Sequence, residues 1–206
     1  MNKSGKIEQS VLISIILAIV IGVIVLTAVV FPVSGAAGGG LSDELCHFNM
    51  ALRNSLPSGS KFLINPILCS EVNVGNINAN SYDTCPTIYK DNAELCGAYQ
   101  IAKLADRCLY RGGGRNPELG LQNEFFICFK NIKLRNLENN KISEETILNV
   151  IGENTFKHGL KKTDVNLFQQ DQDKVITAGE AIGITFDNTG SNENVCIGAT
   201  PCKELL

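Results

Sequence analysis

Uncharged, mostly branched apolar residues fill positions 11–31 without interruption, and nothing later in the chain repeats that pattern. As an α-helix rising 1.5 Å per residue, such a run extends about 31 Å, the thickness of a bilayer's hydrocarbon core. It predicts a transmembrane helix over 11–31, preceded by a cytoplasmic segment, 1–10. A cleaved signal peptide has a shorter apolar stretch of about 7–15 residues, although Ser34, Gly35 and Ala36 are small enough to suit a signal peptidase. Lys3 and Lys6 precede the run and the first charge beyond it is Asp43. The positive-inside rule therefore directs the N-terminus into the cytoplasm and the bulk of the chain outside. Glycine and alanine dominate 32–41, which reads as a flexible tether to an extracytoplasmic domain over 42–206.

Within that domain the apolar spacing changes from segment to segment. Acids just after Ser42, with Leu45, Phe48 and Leu52 on one helical face, predict a short amphipathic helix carrying Cys46 and closed by Pro57. Residues 61–72 are apolar and partly β-branched, but Pro66 restricts them to an edge strand or bulge. The asparagine-rich stretch 73–84 reads as an exposed loop. Asp91 with Glu94 suggests a capping box for the clearest helix, whose buried stripe is Leu95, Ala98, Ile101, Ala102, Ala105 and Leu109 and whose stop is Gly112. Cys96 and Cys108 on this helix stand about 18 Å apart along its axis, too far to pair with each other. Each must reach a neighbouring element, which makes the helix the domain's central staple.

Aromatic and β-branched residues over 124–134 predict a strand that brings Cys128 within reach of that helix. Ser143, followed by Glu144 and Glu145, caps a second helix. Residues 174–188 read as two short strands or a hairpin through Gly179 and Glu180, and 196–202 as a loop. Helices and strands alternate without a regular βαβ repeat, so the predicted class is α+β.

Cysteine placement sharpens this picture. All eight cysteines, Cys46, Cys69, Cys85, Cys96, Cys108, Cys128, Cys196 and Cys202, follow the apolar run. An even set confined to one side of a membrane segment points to disulfides in an oxidising compartment. The closest pair, Cys196 and Cys202, is too widely spaced for the C-x-x-C pattern of zinc sites. Eight cysteines permit 105 pairings, among which spacing does not choose. The chain's net charge is −3, and only Lys3, Lys6 and Glu8 precede Asp43, so the domain is mildly acidic and unsuited to nucleic acid. Tryptophan is absent and histidine occurs twice, which leaves little material for sugar-stacking or haem-ligating sites.

The most conspicuous candidate for binding chemistry is the loop Arg111, Gly112, Gly113, Gly114, Arg115. Its backbone N–H groups and two guanidinium groups could meet an anion, yet it follows a helix where a phosphate cradle precedes one. A helix C-cap and turn is the simpler reading. His47 adjoins Cys46 on a short helix and His158 precedes Gly159 and two lysines, so surface or helix-end roles are expected. Neither sits in a pattern that identifies a nucleophile. The expectation is a non-enzymatic protein with no catalytic, cofactor or metal site, whose partners are the lipid bilayer and copies of itself or another envelope protein.

Two resemblances bear on this. Gly5, Lys6 and Glu8, with Leu12 at the Glu-x-x-x-Leu spacing, resemble the leader and polar collar of type IV pilin-like proteins. That resemblance implies leader cleavage near Gly5 and a filament whose core is built from the apolar helix. Lys6 directly after Gly5, and Glu8 third rather than fifth beyond it, depart from the family's pattern. Cys108, Tyr110, Gly112 to Gly114, Cys128 and Phe129 resemble a group of uncharacterised cysteine-rich single-pass exported membrane proteins of small-genome archaea. Leu109 and Lys130 stand where its members often carry a second aromatic and a second cysteine. This second resemblance implies an anchor and disulfides without implying an activity.

Overall fold

The computed structural model describes residues 40–55, 69, 71–80, 84–113, 125–168, 175–187 and 194–198. The predicted span 11–31, the leader residues Gly5, Lys6 and Glu8, most of the tether, and Gly114, Arg115 and Cys202 lie outside them. Among the described residues no helix is long and apolar enough to cross a membrane. The chain divides into two units, Met1–Ser42 and Asp43–Leu206, and the fold below is that of the second.

Helix α1 (Gly40–Ser55) forms where its spacing predicts a helix, but it is rotated from the expected face. Asp43, Cys46, Asn49 and Met50 are buried, Leu45 is half-buried and Phe48 is 58% exposed. Cys46 is bonded to Cys69, and Asp43 pairs with two arginines. A covalent bond and an ion pair on one side of the helix outweigh the burial of one phenylalanine, worth about 1.5–3 kcal/mol.

Strands β1 (Val72–Asn73) and β2 (Asn76–Asn78) follow, and β2 corrects the reading of 73–84 as a loop throughout. Its alternation is simple: Ile77 and Ala79 point inward, while Asn76 and Asn78 face out. Asparagine is a poor strand former, but here the side chains bind the neighbouring segment. Asn76 Oδ1 accepts from Arg135 Nε and Asn78 Oδ1 from Asn136 Nδ2, both at 2.9 Å.

Helix α2 (Ala93–Arg111) is capped by Asn92 rather than Asp91, the Asn92 side chain accepting the Leu95 N–H at 3.0 Å. Glu94 does not turn back to complete a capping box; it accepts from the Thr146 hydroxyl at 3.0 Å. Ala98, Ile101, Ala102, Ala105 and Leu109 are buried as their spacing predicts, with Leu95 only half so.

Strand β3 (Phe125–Arg135) carries two irregularities against its partner β7 (Ala181–Asp187). Ile127 and Phe129 face the consecutive residues Thr185 and Ile184, so Cys128 is an extra residue in a bulge. A second shift lies between Phe129 and Ile132, where Asn131 adopts φ 55°. A regular strand turns successive side chains to opposite faces, whereas here Cys128 and Phe129 are both fully buried. The bulge is what aims both at α2.

Strand β4 (Lys141–Ser143) leads into helix α3 (Glu144–Glu153), whose cap Ser143 accepts the Thr146 N–H at 3.1 Å as expected. Strand β5 (Val165–Phe168) was not anticipated. Strands β6 (Val175–Thr177) and β7 form as predicted but are not a hairpin: β6 pairs with β4, and β7 with β3 and β8 (Asn194–Gly198). Gly179, at φ 81°, donates to Leu134 O at 2.9 Å and turns the chain from one sheet to the other. Cys196 lies within β8 rather than in a loop.

The main sheet runs β1-β3-β7-β8-β5, with β2 beside β1 on the outer edge of β3. It is mixed: β1 and β2 run parallel to β3, β5 runs parallel to β8, and the central pairs are antiparallel. Helix α2 packs on β3, β7 and β8, and α3 packs on α2, which gives an α+β domain. Three bridges cross this architecture. Cys46–Cys69 ties α1 to the segment before β1, Cys85–Cys96 ties a loop to the start of α2, and Cys108–Cys128 ties the end of α2 to β3. Cys196 is also bonded, and no described cysteine is free. Sequence separations of 23, 11 and 20 residues correspond to about 3 kcal/mol of stabilisation per bridge in the loop-entropy account.

At the end of α2, a Cβ added to Gly112 would stand 2.5 Å from the Phe186 ring, closer than real Cβ atoms come. Gly112→Ala should therefore destabilise the domain by about 1–3 kcal/mol through overpacking, read as a lower urea midpoint with the disulfides intact. Gly75→Ala, which meets no atom within 4 Å but sits at φ 76°, separates backbone strain from this packing effect.

Candidate functional site

Polar side chains, not apolar ones, make much of the seam between α1 and α2. Asp43 accepts from Arg107 Nε at 2.6 Å and stands 3.5 Å from Arg111 Nε. Arg111 is completely buried, donates from Nη1 to Cys128 O at 2.8 Å, and lies 5.5 Å above the Phe129 ring centre. Arg107 lies 5.2 Å above the same ring. Phe129 thus carries two guanidinium groups on its electron-rich face while Asp43 balances them. Burial pulls the Arg111 guanidinium below its ordinary value; Asp43 opposes that shift and Arg107 adds to it.

This arrangement bears on three residues of the anion-loop reading, Arg111, Gly112 and Gly113; Gly114 and Arg115 lie outside the described residues. Arg111 points into the core, and the backbone N–H groups of Gly112 and Gly113 are already bonded to Cys108 O and Tyr110 O, both at 3.1 Å. Gly112 is small because Phe186 lies against it, and Gly113 is glycine because its φ is 110°. Gly112 and Gly113 thus each have a structural cause, and both of their amides are bonded within the helix end.

The second cluster is a three-ring stack. His47 from α1 lies on one neighbour, Tyr110 of α2, with centroids 4.1 Å apart and planes 14° from parallel. His158, in the segment after α3, lies against Tyr110 at 4.0 Å and 20°. His47 Nδ1 is 2.7 Å from Tyr110 O; since a carbonyl only accepts, Nδ1 carries the proton there. The Tyr110 hydroxyl donates to Glu44, and burial together with that carboxylate pushes the phenol up to about 12.

His158 is held from behind. The buried Asp106 carboxylate accepts from His158 N at 3.1 and 3.2 Å and from Leu160 N at 3.2 Å. The His158 imidazole is shifted below its ordinary value by burial, with Lys157 acting the same way and Asp106, Glu44 and Asp43 opposing. Both histidines are half-buried, and neither takes the surface or helix-end position expected of it. No local pattern marks Tyr110 as their common platform, because its partners are 63 and 48 residues away on opposite sides of it along the chain.

Among the described residues, no group of three or more His, Cys, Asp or Glu side chains is arranged to hold a metal ion. What the seam can do chemically is bind α1 through charge and stacking, and respond to protons. Comparison with known proteins finds no matching family model, curated protein or solved structure.

The Asp43 pair makes a graded prediction. Removing one partner of a buried ion pair costs about 3–5 kcal/mol, because the other charge stays behind. Arg111→Ala should show a loss of that order in urea unfolding with disulfides intact. Arg107, whose side chain is 27% exposed, should cost about 1 kcal/mol as Arg107→Ala. Equal losses in the two variants would mean that Arg111 is not the buried partner.

Proposed function

We propose that this chain is a membrane-anchored cell-surface protein, with one N-terminal transmembrane helix over 11–31 and a disulfide-stapled α+β domain in a structural or binding role. The observation that carries the reading is the bonding of every described cysteine, Cys46, Cys69, Cys85, Cys96, Cys108, Cys128 and Cys196. Disulfides on this scale belong to an extracytoplasmic domain. The uncharged run 11–31 and the lysines before it support the anchor and its direction. The bilayer is then one partner, and copies of the same chain or another envelope protein are the others. An acidic domain disfavours nucleic acid.

The other reading is a type IV pilin-like filament subunit, favoured by Glu8 and Leu12 in their Glu-x-x-x-Leu spacing and by the small residue Gly5 ahead of them. The two readings part at the N-terminus. Protein taken from the native surface should keep Met1, dissolve in detergent as monomers, and have its 42–206 region digested by protease added to intact cells. A new N-terminus near Gly5 in sheared fibres would replace the anchor with the filament, and a protease-resistant domain in intact cells would reverse the orientation.

A further inference from the structure

We propose that the His47–Tyr110–His158 stack is an acid-sensitive latch that pins α1 to α2 while His158 is neutral and loosens when His158 takes up a proton. The geometry supplies the latch: α1, α2 and the segment after α3 each contribute one ring, and Tyr110 is covered on both faces at 4.0 and 4.1 Å. No other aromatic group joins α1 to both neighbours among the described ring contacts.

The charges facing His158 explain why a proton strains the stack. From α1 these are Asp43 and Glu44, with His47 across the Tyr110 ring; from α2 it is Asp106, with Arg107 bound to Asp43; from its own segment, Lys157. Each acid is already committed elsewhere. Asp43 holds Arg107 and Arg111, Glu44 accepts from the Tyr110 hydroxyl, and Asp106 accepts the backbone N–H groups of His158 and Leu160. An imidazolium at this half-buried site must regain water, since burial is the largest influence on it. The backbone stays clipped to Asp106, so the ring is the part that moves.

The sign follows from linkage. A histidine whose folded value lies below its unfolded value of about 6.5 contributes stability that is whole above that pH and is lost as pH falls towards the folded value. At the cell surface, the latch would hold α1 at neutral pH and give it freedom in an acidic setting.

The chain has two histidines, so the full-length protein in detergent, labelled at its histidine rings, yields two NMR titration curves. His158→Phe assigns them and preserves a ring that cannot take a proton. The latch predicts a His158 midpoint below 6.5, with the α1 amides losing hydrogen-exchange protection over the same pH range. Each unit of separation from 6.5 corresponds to at most about a tenfold loss. In His158→Phe that loss should vanish. Tyr110→Leu offers a second readout, returning the His158 midpoint towards 6.5. A His158 midpoint at or above 6.5, or α1 protection that falls equally in His158→Phe, would overturn the proposal.

Discussion

The bond between Cys108 and Cys128 is the constraint around which the domain is arranged. It joins the last turn of α2 to the extra residue of a bulge in β3, so the helix end and the sheet cannot separate. Three further features depend on that junction. Arg111, one turn beyond Cys108, donates to the Cys128 carbonyl; Phe129, the next residue on the strand, lies under Arg107 and Arg111; and Asp43 reaches in from α1 to meet both. A buried guanidinium is tolerable only when its donors and its charge are both answered. Here the Cys128 carbonyl takes the Nη1 donor, while the Phe129 ring and the Asp43 carboxylate, 3.5 Å from Nε, balance the charge.

From this junction the coupling runs outward to α1. That helix has its expected apolar residue Phe48 in solvent, and is oriented by Asp43, Glu44, Cys46 and His47. Helix α1 is therefore fastened to the rest of the domain by one covalent bond, one ion-pair group and one ring stack. The disulfide holds α1 irrespective of pH, while charge and stacking do not.

Much of the local structure was legible because its causes are local. The alanine and leucine spacing of α2, the Ser143 cap and the aromatic run of β3 each depend on residues within a turn or two. The distance between Cys96 and Cys108 along one helix was enough to forbid their pairing and to send each to a neighbour, which Cys85 and Cys128 prove to be. What escaped has causes at long range. Asn76 to Asn78 forms a strand because Arg135 and Asn136 bind its side chains, β6 leaves β7 for β4, and Arg111 is buried because Asp43 lies across from it. In the candidate site, Gly112 caps α2 as its place after the last periodic residue implies, but no periodicity brings His47 and His158 onto Tyr110.

The claim that covalent staples hold the elements in this order is tested most directly by mapping the disulfides of unreduced, natively produced protein by peptide mass spectrometry. Linked peptides joining Cys46 to Cys69, Cys85 to Cys96 and Cys108 to Cys128 are expected, with no free thiol among them. Free thiols at these positions, or Cys108 joined to any cysteine other than Cys128, would contradict it.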